Sequence, residues 1–376
     1  MNLAFSEEEL AIRDEFRRVL TSSSARAGLV AIQAQQLSCD LPLWQRLAQT
    51  GWLGAGVAEE HGGSALGNAV LCLAAEEIGR QSPAIPYVAS VCGFAVALAL
   101  ADAPRAQAQW LPRIADGSVL GLVLMAQDWS APPLLSGIDS ADDSCTLSGA
   151  TRLLRDGASA SVALTLIGEA ERAALLLLPL PAGERIGAID KTLDLLHPPA
   201  AFRFDAAPAE VLATGDAAIR LWERVLDRYA LFTAFEQLGG AQAALEMARD
   251  YSLTRYAFGR AIGSFQALKH SMADMLAAIE LARSNCYFGA AALDDDEAQL
   301  PEAAAVARIA ATDAFRLCAK QNMQIHGGIG VTWESDAHLA YRRAQSLATA
   351  LGTPGFWKER LVRLLIAHRG SAARAA

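Results

Sequence analysis

Apolar residues in the first hundred positions recur at the three- and four-residue spacing of helices. Ser6 followed by Glu9 has the spacing of a capping box, so a helix is expected from Glu7. Helical patterning resumes over 42–53, 67–80 and 88–101, with breaks at Gly62-Gly63, Pro83 and Pro86; Trp110-Leu111-Pro112 and Asp116-Gly117 close the section. The style then changes. Short apolar runs at 119–125, 162–167, 175–180 and 202–204 are punctuated by Ser148-Gly149, Asp156-Gly157 and Pro181-Ala182-Gly183, which predicts the strands and turns of a small β-barrel or sandwich. After Gly215 the helical period returns in longer runs. Leu221, Val225, Phe232, Phe235, Leu245 and Tyr251 share one run; Leu268, Met272, Met275 and Ile279 share another, with Ser264 as its candidate N-cap. A further helix is expected over 302–325, and Asp294-Asp295-Asp296-Glu297 reads as a solvated loop. Thr353-Pro354 reads as the N-cap and first residue of a last helix with Leu361, Leu364 and Leu365 inward. The pattern predicts a mainly α chain with a helical domain over 1–118, a β domain over 119–213 and a four-helix bundle over 214–376.

The net charge of −9 argues against a nucleic-acid binder, whose affinity rests on releasing counterions from a basic surface. Cys39, Cys72, Cys92, Cys145, Cys286 and Cys318 are scattered without a CxxC pair, so neither a zinc site nor a disulfide framework is expected and buried thiols are. The N-terminus is acidic where a targeting peptide is basic, and the apolar run 91–101 is shorter than the ~20 helical residues a bilayer needs. The expectation is a cytoplasmic protein without membrane partners.

Two segments carry candidate chemistry. In the stretch 255–275, Arg255 precedes a Gly-containing bend with Phe258 and Gly259, then Gln266 near a new helix N-terminus. Such a corner can hold a phosphate with the guanidinium and hydrogen-bond a polar ring with the amide. Taken alone, Arg255 reads as a surface ion-pair residue, and Phe258 and Phe265 as core. In the second stretch, Gln324-Ile325-His326-Gly327-Gly328-Ile329-Gly330, the glycines at a helix end let a backbone or ligand approach closely. Taken alone, Gly327 reads as a helix C′ residue. His326 has no second ligand at metal spacing, so no metal site is expected.

Together these segments resemble the acyl-CoA dehydrogenase family, whose signatures match 255–275 and 324–330. Weaker echoes are Glu60-His61-Gly62-Gly63, Glu76-Glu77-Ile78-Gly79, Trp110-Leu111-Pro112 and Leu147-Ser148-Gly149, so the resemblance spans essentially the whole chain. It implies the α–β–α fold predicted above. It also implies that Arg255, Phe258 and Gln266 contact FAD held largely by a neighbouring subunit, and that Gln324, Ile325, Gly327 and Gly328 line the adenosine-diphosphate part. The implied reaction is α,β-desaturation of an acyl-CoA thioester. A carboxylate takes the α-proton, the flavin takes the hydride, and an electron-transferring flavoprotein receives the electrons.

The chain departs from the family pattern in three places. Leu351, in Ala350-Leu351-Gly352-Thr353, stands where the usual catalytic glutamate is expected, and the alternative position falls on Tyr229. Neither is a base at neutral pH, since a tyrosine titrates near ~10. Glu236 is the nearest carboxylate candidate, with a buried structural carboxylate paired to an arginine as its other reading. The flavin-facing loop is replaced by Ala126-Gln127-Asp128-Trp129-Ser130-Ala131-Pro132-Pro133, and a later flavin-facing element by Leu153-Leu154-Arg155. These departures point to one subunit of a heteromeric acyl-CoA dehydrogenase, of the kind acting on steroid side chains or dicarboxylic acyl-CoAs, completing a cofactor site shared with a homologous partner. The competing readings are a self-sufficient flavin dehydrogenase or oxidase with a relocated base, and a cofactor-free scaffold.

Overall fold

The computed structural model describes residues 3–21, 24–35, 38–139, 144–180, 185–186, 192–295 and 297–375. Six helices come first: α1 (Glu7–Leu20), α2 (Ala25–Gln35), α3 (Leu41–Gln49), α4 (Gly67–Gln81), α5 (Val96–Leu100) and α6 (Pro104–Ala115), with a π-helical stretch (Val88–Ala95) leading into α5. Strands follow: β1 (Gly121–Leu124), β2 (Leu134–Asp139), β3 (Ser144–Ala150), β4 (Val162–Ile167), β5 (Ala174–Pro179), β6 (Arg185–Ile186) and β7 (Ala201–Thr214). The remainder is α7 (Gly215–Thr254), a small hairpin of β8 (Tyr256–Ala257) and β9 (Arg260–Ala261), then α8 (Gln266–Asp295), α9 (Leu300–His326), α10 (Ala337–Thr349) and α11 (Pro354–Ala375). The chain is thus mainly helical, with helices before and after a central sheet.

Local signals account for many of the boundaries. Ser6 Oγ accepts from the Glu9 amide while Glu9 Oε2 accepts from the Ser6 amide at 2.7 Å, so the capping box at α1 forms as read. Thr353 Oγ1 accepts from the Phe356 amide at the start of α11. Ser264 does not cap α8; its hydroxyl donates to Ala261 O and closes a 3-10 turn instead. The acidic run begins inside α8 rather than in a loop, and Asp294 accepts from Asn68 Nδ2 at 2.9 Å; Asp296 lies outside the described residues, as does the expected turn at 181–183.

By packing, the chain falls into two compact units, neither contiguous in sequence: residues 1–26, 68–83 and 230–376 in one, and 27–67 with 84–229 in the other. The proposed divisions at 118/119 and 213/214 follow secondary structure, whereas this one follows proximity.

In the second unit, the β segment is one mixed sheet where the sequence pattern suggests a small barrel or sandwich. Its order is β1-β4-β5-β7-β3-β2, with β6 on β7. Among the described strands of this sheet, only β1 and β4 pair in parallel; register shifts interrupt the β2–β3, β3–β7 and β5–β7 pairings. Gly121 is needed in β1 because a Cβ there would lie 2.1 Å from the Phe94 ring. Gly93 lets the Tyr229 ring pack against it, at 2.9 Å from a Cβ imagined on Gly93.

In the first unit, α4 and α7 cross backbone to backbone. A Cβ on Gly79 would sit 1.8 Å from Glu236 O, and one on Gly239 would sit 1.8 Å from Glu76 O, so the two glycines are reciprocal. Ion pairs tie α4 to three neighbours, α1, α7 and α8. Arg17 grips Glu77 with two hydrogen bonds of 2.8 and 2.7 Å, Arg80 pairs with Glu246, and Arg283 with Glu76. On α11, Leu361 and Leu364 are half-buried, whereas Leu365 is exposed, contrary to the inward expectation. All six cysteines are free and buried, and no metal-binding cluster occurs among the described residues. No described helix is long and apolar enough to cross a membrane.

Candidate functional site

The last turn of α7 feeds directly into the β8–β9 hairpin, whose two-residue tip is Phe258-Gly259. Both tip residues have positive φ, +52° and +78°, the combination a type I′ turn requires. Glycine adopts this conformation without cost, but phenylalanine does not. Phe258 is 95% exposed, so the expectation that it belongs to the core is wrong. The bend turns the ring outward, leaving only an edge-to-face contact with Phe265 at 6.2 Å. Arg260 lies over the Phe265 ring at 4.1 Å, and the Ile262 amide donates to Arg255 O to close the loop. Replacing Phe258 with asparagine, which tolerates the left-handed region, is expected to stabilise the isolated chain by about 0.5–1 kcal/mol. A urea titration showing lower stability instead would mean the ring is anchored by its own chain.

Arg255 is exposed and its guanidinium forms no ion pair among the described residues, so it is not the surface salt-bridge residue its sequence context suggests. Gln266 is exposed at the first position of α8.

Gly327 ends α9 with φ +64°, and its amide donates to Gln324 O and Met323 O, as a helix-terminating glycine does. The two glycines beyond it differ. Gly330 has its place forced by its own chain, since a Cβ would lie 2.9 Å from Met323 O. Gly328 has ample space and no positive φ, so nothing among the described residues requires glycine there. Gln324 is exposed beside it, while Ile325 is buried and presents only backbone.

The two segments meet. Tyr251, one turn before Arg255, stacks on His326 with ring centroids 4.1 Å apart and planes 21° apart. His326 Nδ1 lies 2.9 Å from Asn322 O, a contact in which the ring nitrogen donates. The sequence reading did not find this pair; its signal was an aromatic residue one turn ahead of the arginine.

A diphosphate-bearing group fits this corner. It offers an unpaired guanidinium, two exposed amide side chains, and a glycine whose missing Cβ leaves open space rather than filling a need of the chain. Those are the features by which backbone and cation approach a polyanion closely.

The candidate bases lie in different settings. Leu351 is buried, with φ +57°. Its loop is held by Trp357 Nε1 donating to Leu351 O at 3.0 Å and by Arg308 Nη2 donating to Ala350 O at 2.7 Å and to Leu347 O. Arg308, itself buried, also reaches Thr312 Oγ1 at 2.7 Å and the Gln237 carbonyl oxygen. The next residue back on α7, Glu236, accepts from Arg343 Nη2 at 2.6 Å, with side chains 2% and 1% exposed. That is the geometry of a buried carboxylate paired to an arginine.

In the other unit, the loop after β1 is folded in on itself. Trp129 is buried, tilted against Phe204 at 5.8 Å, and Asp128 Oδ2 accepts from the Met125 amide at 2.7 Å. Burial pushes the Asp128 carboxyl up to about 6, offset in part by that amide and by Arg152. Leu153 is exposed and Arg155 lies 3.6 Å from Asp194, so neither supplies an aromatic or hydroxyl face.

Comparison with known proteins agrees with this architecture. A family model described as Acyl-CoA dehydrogenase, C-terminal domain, matches residues 219–365, and one described as Acyl-CoA dehydrogenase, N-terminal domain, matches 6–118. The Acyl-CoA dehydrogenase IpdE2 of Mycobacterium tuberculosis is 29% identical over 93% of this chain and 94% of its own length. A solved variant of the Tcur3481-Tcur3483 steroid ACAD superposes with a TM-score of 0.84 at 26% identity, covering 97% of this chain and 99% of that one. The ChsE4-ChsE5 complex from Mycobacterium tuberculosis shares the fold, with a TM-score of 0.84 at 24% identity over 97% of this chain and 99% of its own. The chain belongs to the acyl-CoA dehydrogenase family. Its members are flavoprotein oxidoreductases acting on the CH–CH bond of acyl-CoA, and they normally bind FAD.

Proposed function

We propose that this chain is the completing subunit of a heteromeric acyl-CoA dehydrogenase, desaturating a steroid side-chain or dicarboxylic acyl-CoA in the cytoplasm and passing electrons to an electron-transferring flavoprotein. The observation that carries the reading is an asymmetry. The corner around Arg255, Gln266, Gln324, Gly327 and Gly328 is open and unpaired, while the family's base position holds Leu351 and the loop after β1 is closed around Trp129. Relatives with two-part names, the Tcur3481-Tcur3483 steroid ACAD and the ChsE4-ChsE5 complex, lend support to pairing of unlike subunits.

In this reading Arg255 neutralises a phosphate, Gln266 and Gln324 hydrogen-bond polar edges, Phe258 packs against the partner, and the backbone at Ile325, Gly327 and Gly328 lies along the diphosphate. When bound, FAD supplies the acceptor for the hydride that leaves the β-carbon. The proton from the α-carbon goes to a carboxylate of the partner, because Leu351 and Tyr229 cannot take it and Glu236 is committed to Arg343. By gripping the ligand's remote, non-reacting half, this chain contributes orientation.

Co-expression with a homologous subunit carrying the glutamate is expected to yield a yellow complex that oxidises an acyl-CoA, whereas the chain alone turns nothing over. Within that complex, Arg255→Gln is expected to lower flavin affinity roughly 10- to 100-fold, as loss of a charge-assisted contact does. Full flavin occupancy and turnover by the chain alone would reverse the reading. A complex that stays colourless would favour a scaffold.

A further inference from the structure

The candidate site is made of two pieces from different ends of the bundle sequence, and neither is braced by its own segment. The β8–β9 hairpin is two residues long on each side, too short to be stable by itself. The 3-10 turn Gly327–Val331 follows a helix end and contains two glycines, Gly327 and Gly328, with nothing near an imagined Cβ. Among the described residues, the ring contact that links them is one aromatic pair. Tyr251 lies one turn before Arg255, and His326 immediately precedes Gly327. Their rings stack at 4.1 Å and 21°. His326 is oriented from behind by its Nδ1 contact with Asn322 O at 2.9 Å, and Asn322 is buried with Nδ2 against Met247 Sδ at 3.2 Å, so the ring is held from α7 and α9 together. Gly330 packs against His326 Cβ at 3.0 Å from its imagined Cβ, which seats the turn on the same residue.

We infer that the Tyr251–His326 stack is the joint that sets the span between the Arg255 hairpin and the Gly327-Gly328 turn, which makes His326 a positioning residue. The flat face of the imidazole does the work; the Nδ1 contact with Asn322 O accompanies the stack and is not needed to keep it. The inference rests on the cofactor reading only for the identity of the ligand gripped across that span. The joint itself is a property of the chain.

The test uses the full chain and two readouts. Hydrogen exchange at the Ile262 amide, which donates to Arg255 O at 2.8 Å, reports whether the hairpin is held in the chain itself, and titration of its complex with the homologous subunit by FAD reports the grip. His326→Ala and, as a second disruption, Tyr251→Leu are each expected to speed Ile262 exchange about tenfold and weaken FAD binding about tenfold, as loss of an aromatic pair allows. His326→Phe keeps a flat ring and is expected to restore both readouts to within about twofold of the parent chain. If His326→Phe behaves like His326→Ala, a ring nitrogen is the active feature and the inference is overturned. It is also overturned if Arg255→Ala weakens FAD binding while His326→Ala and Tyr251→Leu change neither readout; the cofactor reading would then survive. Faster exchange in both disrupting variants, with no FAD binding by the parent chain or its complex, upholds the joint and removes the cofactor reading.

Discussion

Replacing Glu236 with glutamine is expected to lower the unfolding free energy by about 3–5 kcal/mol, the usual cost of stranding one member of a buried ion pair. The side chains of Glu236 and Arg343 are 2% and 1% exposed and 2.6 Å apart, so removing the carboxylate leaves a guanidinium facing an amide away from water. The sign of a second change separates charge from packing. Glu236→Gln combined with Arg343→Met is expected to recover most of the loss, because removing both charges often costs little once the volume is filled. Chemical denaturation of the single and double variants measures this directly. A single variant within about 1 kcal/mol of the parent would show that the pair is dispensable, and would return Glu236 to the list of carboxylates free for chemistry.

The second large effect runs against helix propensity. Alanine in the middle of a solvent-facing helix stabilises by about 0.5–1 kcal/mol relative to glycine. At Gly239 the same change is expected to destabilise by about 3 kcal/mol, because the added methyl would meet Glu76 O at 1.8 Å and α4 and α7 must separate to admit it. Gly79→Ala presses on Glu236 O from the other side at the same 1.8 Å. The two substitutions are therefore expected to be less than additive, since the first already spreads the crossing that the second needs. Thermal or urea unfolding of the two singles and the double decides it. A stabilised Gly239→Ala chain would refute the close crossing.

The order of elements was legible because the period of apolar residues changes from helical to alternating or continuous and back, and that period depends on neighbours in sequence. The same holds for the caps at Ser6 and Thr353, and for β4, which spans the expected 162–167. Features set by residues far apart were not. Glu236 and Arg343 are 107 residues apart, and only packing reveals which arginine answers the carboxylate. Phe258 looks like core by composition, yet the positive φ values of a type I′ turn carry it outward. Ser264 has a cap residue's identity but is used to close the turn before α8. At the candidate site, the residues of each half were readable as segments. Their meeting through Tyr251 and His326 was not, because no pattern along the chain records a stack between two helix ends.

The bend at Leu351 bears on how such proteins diverge. Its shape is fixed by a tryptophan and an arginine pulling on carbonyl oxygens, and the side chain at 351 makes none of those bonds. Those bonds are therefore kept when the residue changes, while the burial and positive φ at 351 still restrict which side chains it accepts. Under the proposed pairing of unlike subunits, a carboxylate at 351 can be exchanged by one substitution while the bonds that shape the bend stay in place.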